Sequence, residues 1–135
     1  FEAVPGEIGE VKGRHIGAIG RRADPIPATE LFETVARELG REPLVFADGP
    51  ETVSTIAVLT GAGASDIHEA ISLGLDAYLT GEPAEHVMAD AREGQIHFIA
   101  AGHYATEICG VSALGDLVAE RFGVEHEFID LPNPI

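Results

Sequence analysis

From about residue 52 onward, short runs of β-branched and apolar residues alternate with segments of helical length, and this alternation constrains the fold more than any other feature of the chain. It is the pattern of βαβ units, because parallel neighbouring strands need a crossover long enough to hold a helix. Strands are predicted at 53–59, 75–79, 96–101 and 125–129, and helices between them at 65–73, 83–93 and 104–122. Gly94 and Gly123 fall where helix C-caps belong. Upstream, 14–21 reads as a strand, 27–40 as a helix with Thr29 as its cap, and 44–46 as a short strand. The segment 23–27, Ala-Asp-Pro-Ile-Pro, reads as a turn or linker. With no internal repeat and no second boundary, the expectation is a single α/β unit over residues 1–135, with a largely parallel or mixed sheet and flanking helices.

Hydrophobic residues make up 45% of the 135 residues, enough for a packed core. The longest apolar stretches, Ile96–Ala101 and Ile56–Leu59, are of strand length and fall short of the roughly 20 residues a membrane helix needs. No membrane partner is expected. Eight Lys+Arg against 23 Asp+Glu give a formal charge of −15, a field that repels phosphate backbones and anionic lipid surfaces. Nucleic acid is therefore not an expected partner, and the acidic residues, interspersed with apolar ones, read as a solvated surface. The single cysteine, Cys109, forms no intrachain disulfide, which fits a reducing compartment and a cytoplasmic location. The chain opens on Phe1 with no signal-type apolar core behind it, so its start reads as a cleavage or truncation point.

The chemistry concentrates where the last long apolar strand ends. Ala101-Gly102 is followed by His103-Tyr104-Ala105-Thr106-Glu107 and then by the longest predicted helix. Residues four apart lie about 40° apart around a helix, so the His103 and Glu107 side chains can reach one point. Val111, Leu114, Val118 and Phe122 continue the same side, which predicts that Glu107 heads a stripe packed on the sheet. A carboxylate on a buried side needs a partner, a proton or a metal. Imidazole nitrogen with carboxylate oxygen suits Zn, Fe or Mn better than Ca or Mg. The competing explanation is that Glu107 caps the helix, favoured by the dipole, and that His103 is an ordinary loop histidine.

Two further junctions reach the same edge, since loops after parallel strands emerge together at the strands' C-terminal ends. One is Thr60-Gly61-Ala62-Gly63-Ala64-Ser65, which either offers N–H groups to an anion or is a tight turn with Ser65 capping the next helix. It lacks both the P-loop and the full dinucleotide fingerprint. The other is Thr80-Gly81-Glu82-Pro83, where Pro83 fits a first helical position and Glu82 its N-cap. Glu82 also remains a candidate second-layer or substrate-contacting group. His68, His86, His97, His15 and His126 read as structural or solvated, with His86 four residues from Glu82 and able to pair with it. Cys109, on the far side of its helix from Glu107, reads as a small packed residue.

Taken in order, Thr60-Gly61-Ala62-Gly63, Asp76-Ala77-Tyr78-Leu79-Thr80-Gly81-Glu82, Ala101-Gly102-His103-Tyr104-Ala105-Thr106-Glu107 and Ile129-Asp130-Leu131-Pro132-Asn133-Pro134 resemble the NIF-three-like family, also labelled GTP cyclohydrolase I type 2 homologue, over essentially the whole chain. The resemblance implies an α/β protein with a dinuclear metal centre, commonly a ring-shaped hexamer. In such a protein the C-terminal HxxxE supplies two metal ligands, here His103 and Glu107. It also implies that this chain is the C-terminal half. The family's remaining ligands, a histidine pair and an aspartate, belong to an N-terminal half, and no His-His pair occurs here.

Three readings are open. In the first, two divalent ions of the complete protein activate water for hydrolysis of a phosphate ester or a purine-type ring, a small-molecule substrate. In the second, the protein is a non-catalytic metal-binding regulatory or assembly module. In the third, Gly61 and Gly63 serve a nucleotide-binding βαβ unit that needs no metal.

Overall fold

A computed structural model describes residues 1–5, 8–131 and 133. The chain runs through β1 (Glu2–Pro5), β2 (Glu10–Val11), β3 (Arg14–His15), β4 (Ala18–Pro27), α1 (Ala28–Leu39), β5 (Leu44–Ala47) and β6 (Thr52–Leu59). A single 3₁₀ turn (Ala64–Asp66) then leads into α2 (Ile67–Ser72), β7 (Ala77–Thr80), α3 (Val87–Gly94), β8 (His97–Ala100) and α4 (His103–Phe122). Six strands form one sheet in the order β1-β4-β6-β7-β8-β5, and β2 with β3 makes a separate two-stranded ribbon.

The sheet is mixed. β6, β7 and β8 run parallel at its centre, while β1, β4 and β5 pair antiparallel at the flanks. Every residue of β7 and β8 is buried, as expected of strands covered on both faces. Successive side chains point to opposite faces, so one core gathers Tyr78, Phe98 and Ala57 beneath α2 and α3, and the other gathers Leu79, Ile99 and Ile56 beneath α1. The register sets Leu59 beside Thr80 and Thr80 beside Ala100, so the three parallel strands end level. Their following loops therefore start from one rim.

A polar anchor locks this centre at its opposite end. The Asp76 carboxylate accepts from the Ser54 and Thr55 amides at 2.9 and 2.8 Å and from both hydroxyls at 2.9 Å. Burial pushes its carboxyl up, but these four donors outweigh that and hold it below the usual carboxylate range.

Several expectations are corrected. No strand forms at 125–129; residues 124–131 are irregular and run back along α4, with His126 Nδ1 3.0 Å from Asp116 Oδ1 and the Tyr104 hydroxyl bonded to Asp130. Residues 124–131 are exposed throughout, so the segment lies on the flank of α4 without a buried face. Of the terminal motif, Pro132 and Pro134 lie outside the described residues. The segment 23–27 is not a linker but part of β4, with a register shift between Arg21 and Ile26. Pro25 is tolerated because β1 pairs β4 only as far as Arg21, so beyond it one side of the strand needs no N–H donor.

Helix boundaries move for local reasons. α1 is preceded by Pro27 rather than capped by Thr29, and its first amide, Ala28 N–H, bonds the Glu51 carbonyl at 2.9 Å. Ser65 lies within the 3₁₀ turn and caps nothing. α3 begins at Val87, so Pro83 is not its first residue and Glu82 is not its cap. Gly94 is the last residue of α3, not its C-cap; that left-handed position falls to Gln95. A Cβ at Gly94 would meet Ile71 at 2.6 Å, so glycine there lets α3 approach α2. Gly123 does cap α4 as expected, with φ +64°.

The largest departure is α4. Only Ala105 and Thr106 in its first turn are buried, and Val111, Leu114, Val118 and Phe122 face solvent rather than the sheet. Glu107 shares that exposed side, and Cys109 is exposed too rather than packed. The helix starts on the rim, and past its first turn the returning segment 124–131 runs beside it, with His126 against Gly115 and Asp116.

Candidate metal centre at the sheet rim

Each candidate side chain is placed by the junction at the end of a parallel strand. After β8, Gly102 takes φ +96°, a left-handed value that glycine adopts without strain, and turns the chain into α4. His103 and Glu107 then fall one turn apart on the first two turns. After β7, Gly81 leads to Glu82 in a short irregular loop. After β6 comes Gly61, with φ +71°.

Gly61 joins all three junctions. Its N–H donates to Thr106 Oγ1 at 3.2 Å, and its carbonyl accepts from Gly81 N at 2.9 Å, Glu82 N at 3.0 Å and Thr80 Oγ1 at 3.2 Å. Thr106 Oγ1 in turn donates to the Gly102 carbonyl at 2.9 Å, and Gly102 N–H donates to the Gly81 carbonyl at 2.8 Å. The second glycine of the loop is held by Tyr78, whose hydroxyl donates to the Gly63 carbonyl at 2.5 Å, and by Thr80 Oγ1, which accepts from Gly63 N at 3.1 Å. These loops therefore form a hydrogen-bonded platform under the candidate ligands.

On that platform the His103 ring is set between two carboxylates. Its Nδ1 lies 2.5 Å from Glu82 Oε1, and its Nε2 lies 3.3 Å from Glu107 Oε1. The three side chains are partly open, at 37% for His103, 38% for Glu82 and 53% for Glu107. The hydrogen bond to Glu82 raises the imidazole above the ordinary histidine range; desolvation opposes this, and the Glu107 charge adds to it. A Cβ on Gly61 would stand 2.7 Å from Glu107 Oε1 and 3.2 Å from His103 Nε2, so the glycine backbone forms one wall of the site.

The donor set fits a divalent ion. Bonds of about 2.0–2.1 Å at tetrahedral angles put ligand atoms about 3.3–3.4 Å apart, close to the separation of His103 Nε2 and Glu107 Oε1. The Glu82 carboxylate on the other ring nitrogen is the outer partner that metal-bound histidines usually have. Glu107 does not cap α4: no side chain does. Arg41, in the turn after α1, packs against Gly102 beside this histidine. A groove of about 560 Å³ between α1 and β5, lined by Phe32, Arg37, Pro43 and Val45, lies elsewhere and meets the rim only through Arg41.

The other histidines separate clearly. His97 is buried and structural: Nδ1 accepts from Gly49 N at 3.2 Å, Nε2 donates to the Pro50 carbonyl at 2.7 Å, and Phe32 meets the ring edge-on. His86 does not pair with Glu82, which is taken by His103; it turns to Asp90, with Nε2 3.8 Å from Oδ2. His68 reaches the same oxygen at 3.4 Å, an association between two helices that the sequence reading missed. The i,i+4 spacing of His86 and Asp90 was the one signal for it.

Known proteins match most of this chain. Residues 6–134 match the family model for Duf34/NIF3 (NGG1p interacting factor 3). A Pseudomonas aeruginosa protein named GTP cyclohydrolase 1 type 2 homolog is 46% identical over 131 residues, covering 97% of this chain and 52% of that protein. Among solved structures, the protein ybgI, described as of unknown function, superposes with a TM-score of 0.84 at 41% identity over 90% of this chain and 49% of its own. A Thermus thermophilus protein gives a TM-score of 0.79 at 29% identity, over 96% of this chain and 51% of that one. The chain thus spans about half the length of the relatives it matches, and among its described residues no helix is long and apolar enough to cross a membrane. On the extent of the family match and the level of identity, this chain belongs to the Duf34/NIF3 family.

Proposed function

We propose that this chain is the C-terminal half of a metal-dependent hydrolase, and that His103 and Glu107 supply two of the ligands for a centre of two divalent ions, Zn, Fe or Mn, completed by residues outside it. The observation that carries the reading is the fixed position of the His103 ring, with one nitrogen on Glu82 and the other beside Glu107. Glu82 acts through His103: it sets the ring's orientation and tautomer and raises its basicity as a ligand. When bound, two divalent ions supply a hydroxide-like nucleophile at neutral pH and neutralise charge on the scissile group.

The substrate class that suits this rim is a phosphate ester or a nucleotide-type ring. A chain with net charge −15 repels such anions at long range, so local cations must offset that field. Arg41 places one such positive charge beside Gly102. The Gly61 backbone forms one wall of the site and keeps a side chain out of the space beside the ligands.

A second reading, a non-catalytic metal-binding module built for assembly, draws on a different observation. α4 leaves Val111, Leu114, Leu117 and Phe122 exposed, and exposed apolar groups of this kind suit a protein interface. In a homo-oligomer, such as a ring hexamer, a neighbouring subunit would cover that stripe. Replacing His103 and Glu107 by Ala in the full-length protein separates the readings. Loss of the rim ions together with phosphoesterase and nucleotide-hydrolysing activity is expected. Loss of the ions with every activity and the assembly intact leaves only the second reading, and full retention of the ions overturns both assignments of ligands.

A further inference from the structure

A second group of ligand-type side chains, sharing no residue with the rim pair, lies on the two helices that cover one face of the sheet. His68 is on α2, His86 is the residue before α3, and Asp90 is on the first turn of α3. Each offers one donor atom, and the three atoms all lie within 4.8 Å of one another. His68 Nε2 is 3.4 Å and His86 Nε2 3.8 Å from Asp90 Oδ2, and the two rings stack nearly parallel, 11° apart in plane with centroids 6.2 Å apart.

Asp90 supplies the independent sign that something is missing. Its Oδ2 is shut off from solvent and accepts no hydrogen bond among the described residues, although two imidazoles stand beside it. A closed-off carboxylate oxygen without a donor is costly and uncommon. The two ring nitrogens approach without hydrogen-bond geometry; His68 Nε2, at 3.4 Å, matches the edge of a tetrahedron with bonds of about 2.0–2.1 Å, which is about 3.3–3.4 Å, and His86 Nε2, at 3.8 Å, stands a few tenths of an ångström outside it. Both histidines are solvent-exposed, so small rotations suffice to bring the rings onto one ion.

We propose that His68, His86 and Asp90 form a further metal site, for a borderline divalent ion of the Zn²⁺ class, that clamps α2 to α3 independently of the rim. Two imidazoles and one carboxylate are nitrogen-rich for Mg²⁺ or Ca²⁺, which prefer all-oxygen shells, and suit Zn²⁺ with a fourth position open to water or an exchangeable donor. The site shares no ligand with the rim, so it stands whether or not the rim binds metal. It does share a loop: Glu82 lies at the start of the β7–α3 connection and His86 at its end, so the ion would pin one end of the segment that orients His103.

The test is zinc titration of this chain by calorimetry, with MgCl₂ as control, on wild type, H103A/E107A, H68A/H86A and D90N. One Zn²⁺ per chain is expected in wild type and in H103A/E107A, with no response to Mg²⁺. Affinity should fall at least about tenfold in H68A/H86A and D90N, since losing even an outer partner of a ligand costs that much. His68 and His86 ring resonances should shift with zinc in wild type while those of His97 stay fixed, and the melting temperature should rise with zinc only where the three ligands are intact. Unaltered zinc binding in H68A/H86A, or His68 and His86 resonances that ignore zinc, would overturn the site. Zinc binding lost only in H103A/E107A would also overturn it and would assign the ion to the rim instead.

Discussion

Alanine at Gly81 tests whether the rim is a rigid platform or a set of loops that happen to lie close. A Cβ there would stand 2.6 Å from the Gly61 carbonyl oxygen, 2.7 Å from His103 Cα and 3.0 Å from His103 N. All three are backbone atoms, so relief requires two chain segments to separate by several tenths of an ångström. Overpacking of this kind costs about 1–3 kcal/mol. The movement also stretches the bonds from Gly81 N and Glu82 N to Gly61, now 2.9 and 3.0 Å, worth about 1 kcal/mol each. A total of about 2–4 kcal/mol corresponds to a fall in melting temperature on the order of 10 °C for a chain of this size. Gly74→Ala is the control: its φ of +65° strains an alanine, but nothing lies within 4 Å of the new Cβ, so about 1 kcal/mol is expected. Thermal unfolding followed by circular dichroism measures both. If G81A melted no lower than G74A, the close approach would be soft and the rim would not be a rigid platform.

Three further outcomes are expected. Asp76→Asn should destabilise the fold by about 2–3 kcal/mol at pH 7 in urea unfolding, because four donors lose a charged acceptor. Since the folded carboxyl is held below its unfolded value of about 3.9, that contribution is complete above this pH and is lost as pH falls through the folded value; the gap between wild type and D76N should therefore narrow by pH 3, and a constant gap contradicts the anchor. Tyr78→Phe removes the donor to the Gly63 carbonyl and should lower stability by about 1–2 kcal/mol with unchanged far-ultraviolet dichroism; an unchanged melting temperature would show the hydroxyl to be idle. Glu82→Gln in the full-length protein should weaken rim metal binding about 10–100-fold while leaving the unfolding midpoint near wild type; equal affinity would remove Glu82 from the assignment.

What could be read in the sequence was what local pattern decides. The central strands were legible because Ile56–Leu59 and Ile96–Ala101 are apolar on both faces, a condition that only burial between two helical layers satisfies. β1 and β2 were not, since short, exposed edge and ribbon strands carry no such run, and the strand predicted at 14–21 is in fact β3 and the start of β4, two separate strands. The His103–Glu107 geometry followed from helical spacing alone. The Glu82–His103 contact did not, because it depends on β7 and β8 being level neighbours, a fact of topology rather than of pattern. The α4 stripe misled for a related reason: amphipathic spacing shows that one side of a helix is apolar, but not whether its cover lies in the same chain. At 125–129 the alternation was real, and the segment lies along α4 instead of pairing with a sheet edge.

The positions of the rim donors are fixed by a network of backbone hydrogen bonds. Gly61 bonds Thr106 through its N–H and the Gly81–Glu82 amides through its carbonyl, and its φ of +71° is what turns those two groups toward different strands. A residue with a side chain would be penalised twice there, once in left-handed strain and once by pushing its Cβ toward Glu107 and His103. The His103 ring is thus oriented by Glu82 and by the backbone of the rim. On the proposed reading, weak binding by this chain alone then comes from too few donors and not from disorder among those present. Donors from the rest of the protein need order only themselves, and most of their binding energy is realised as affinity.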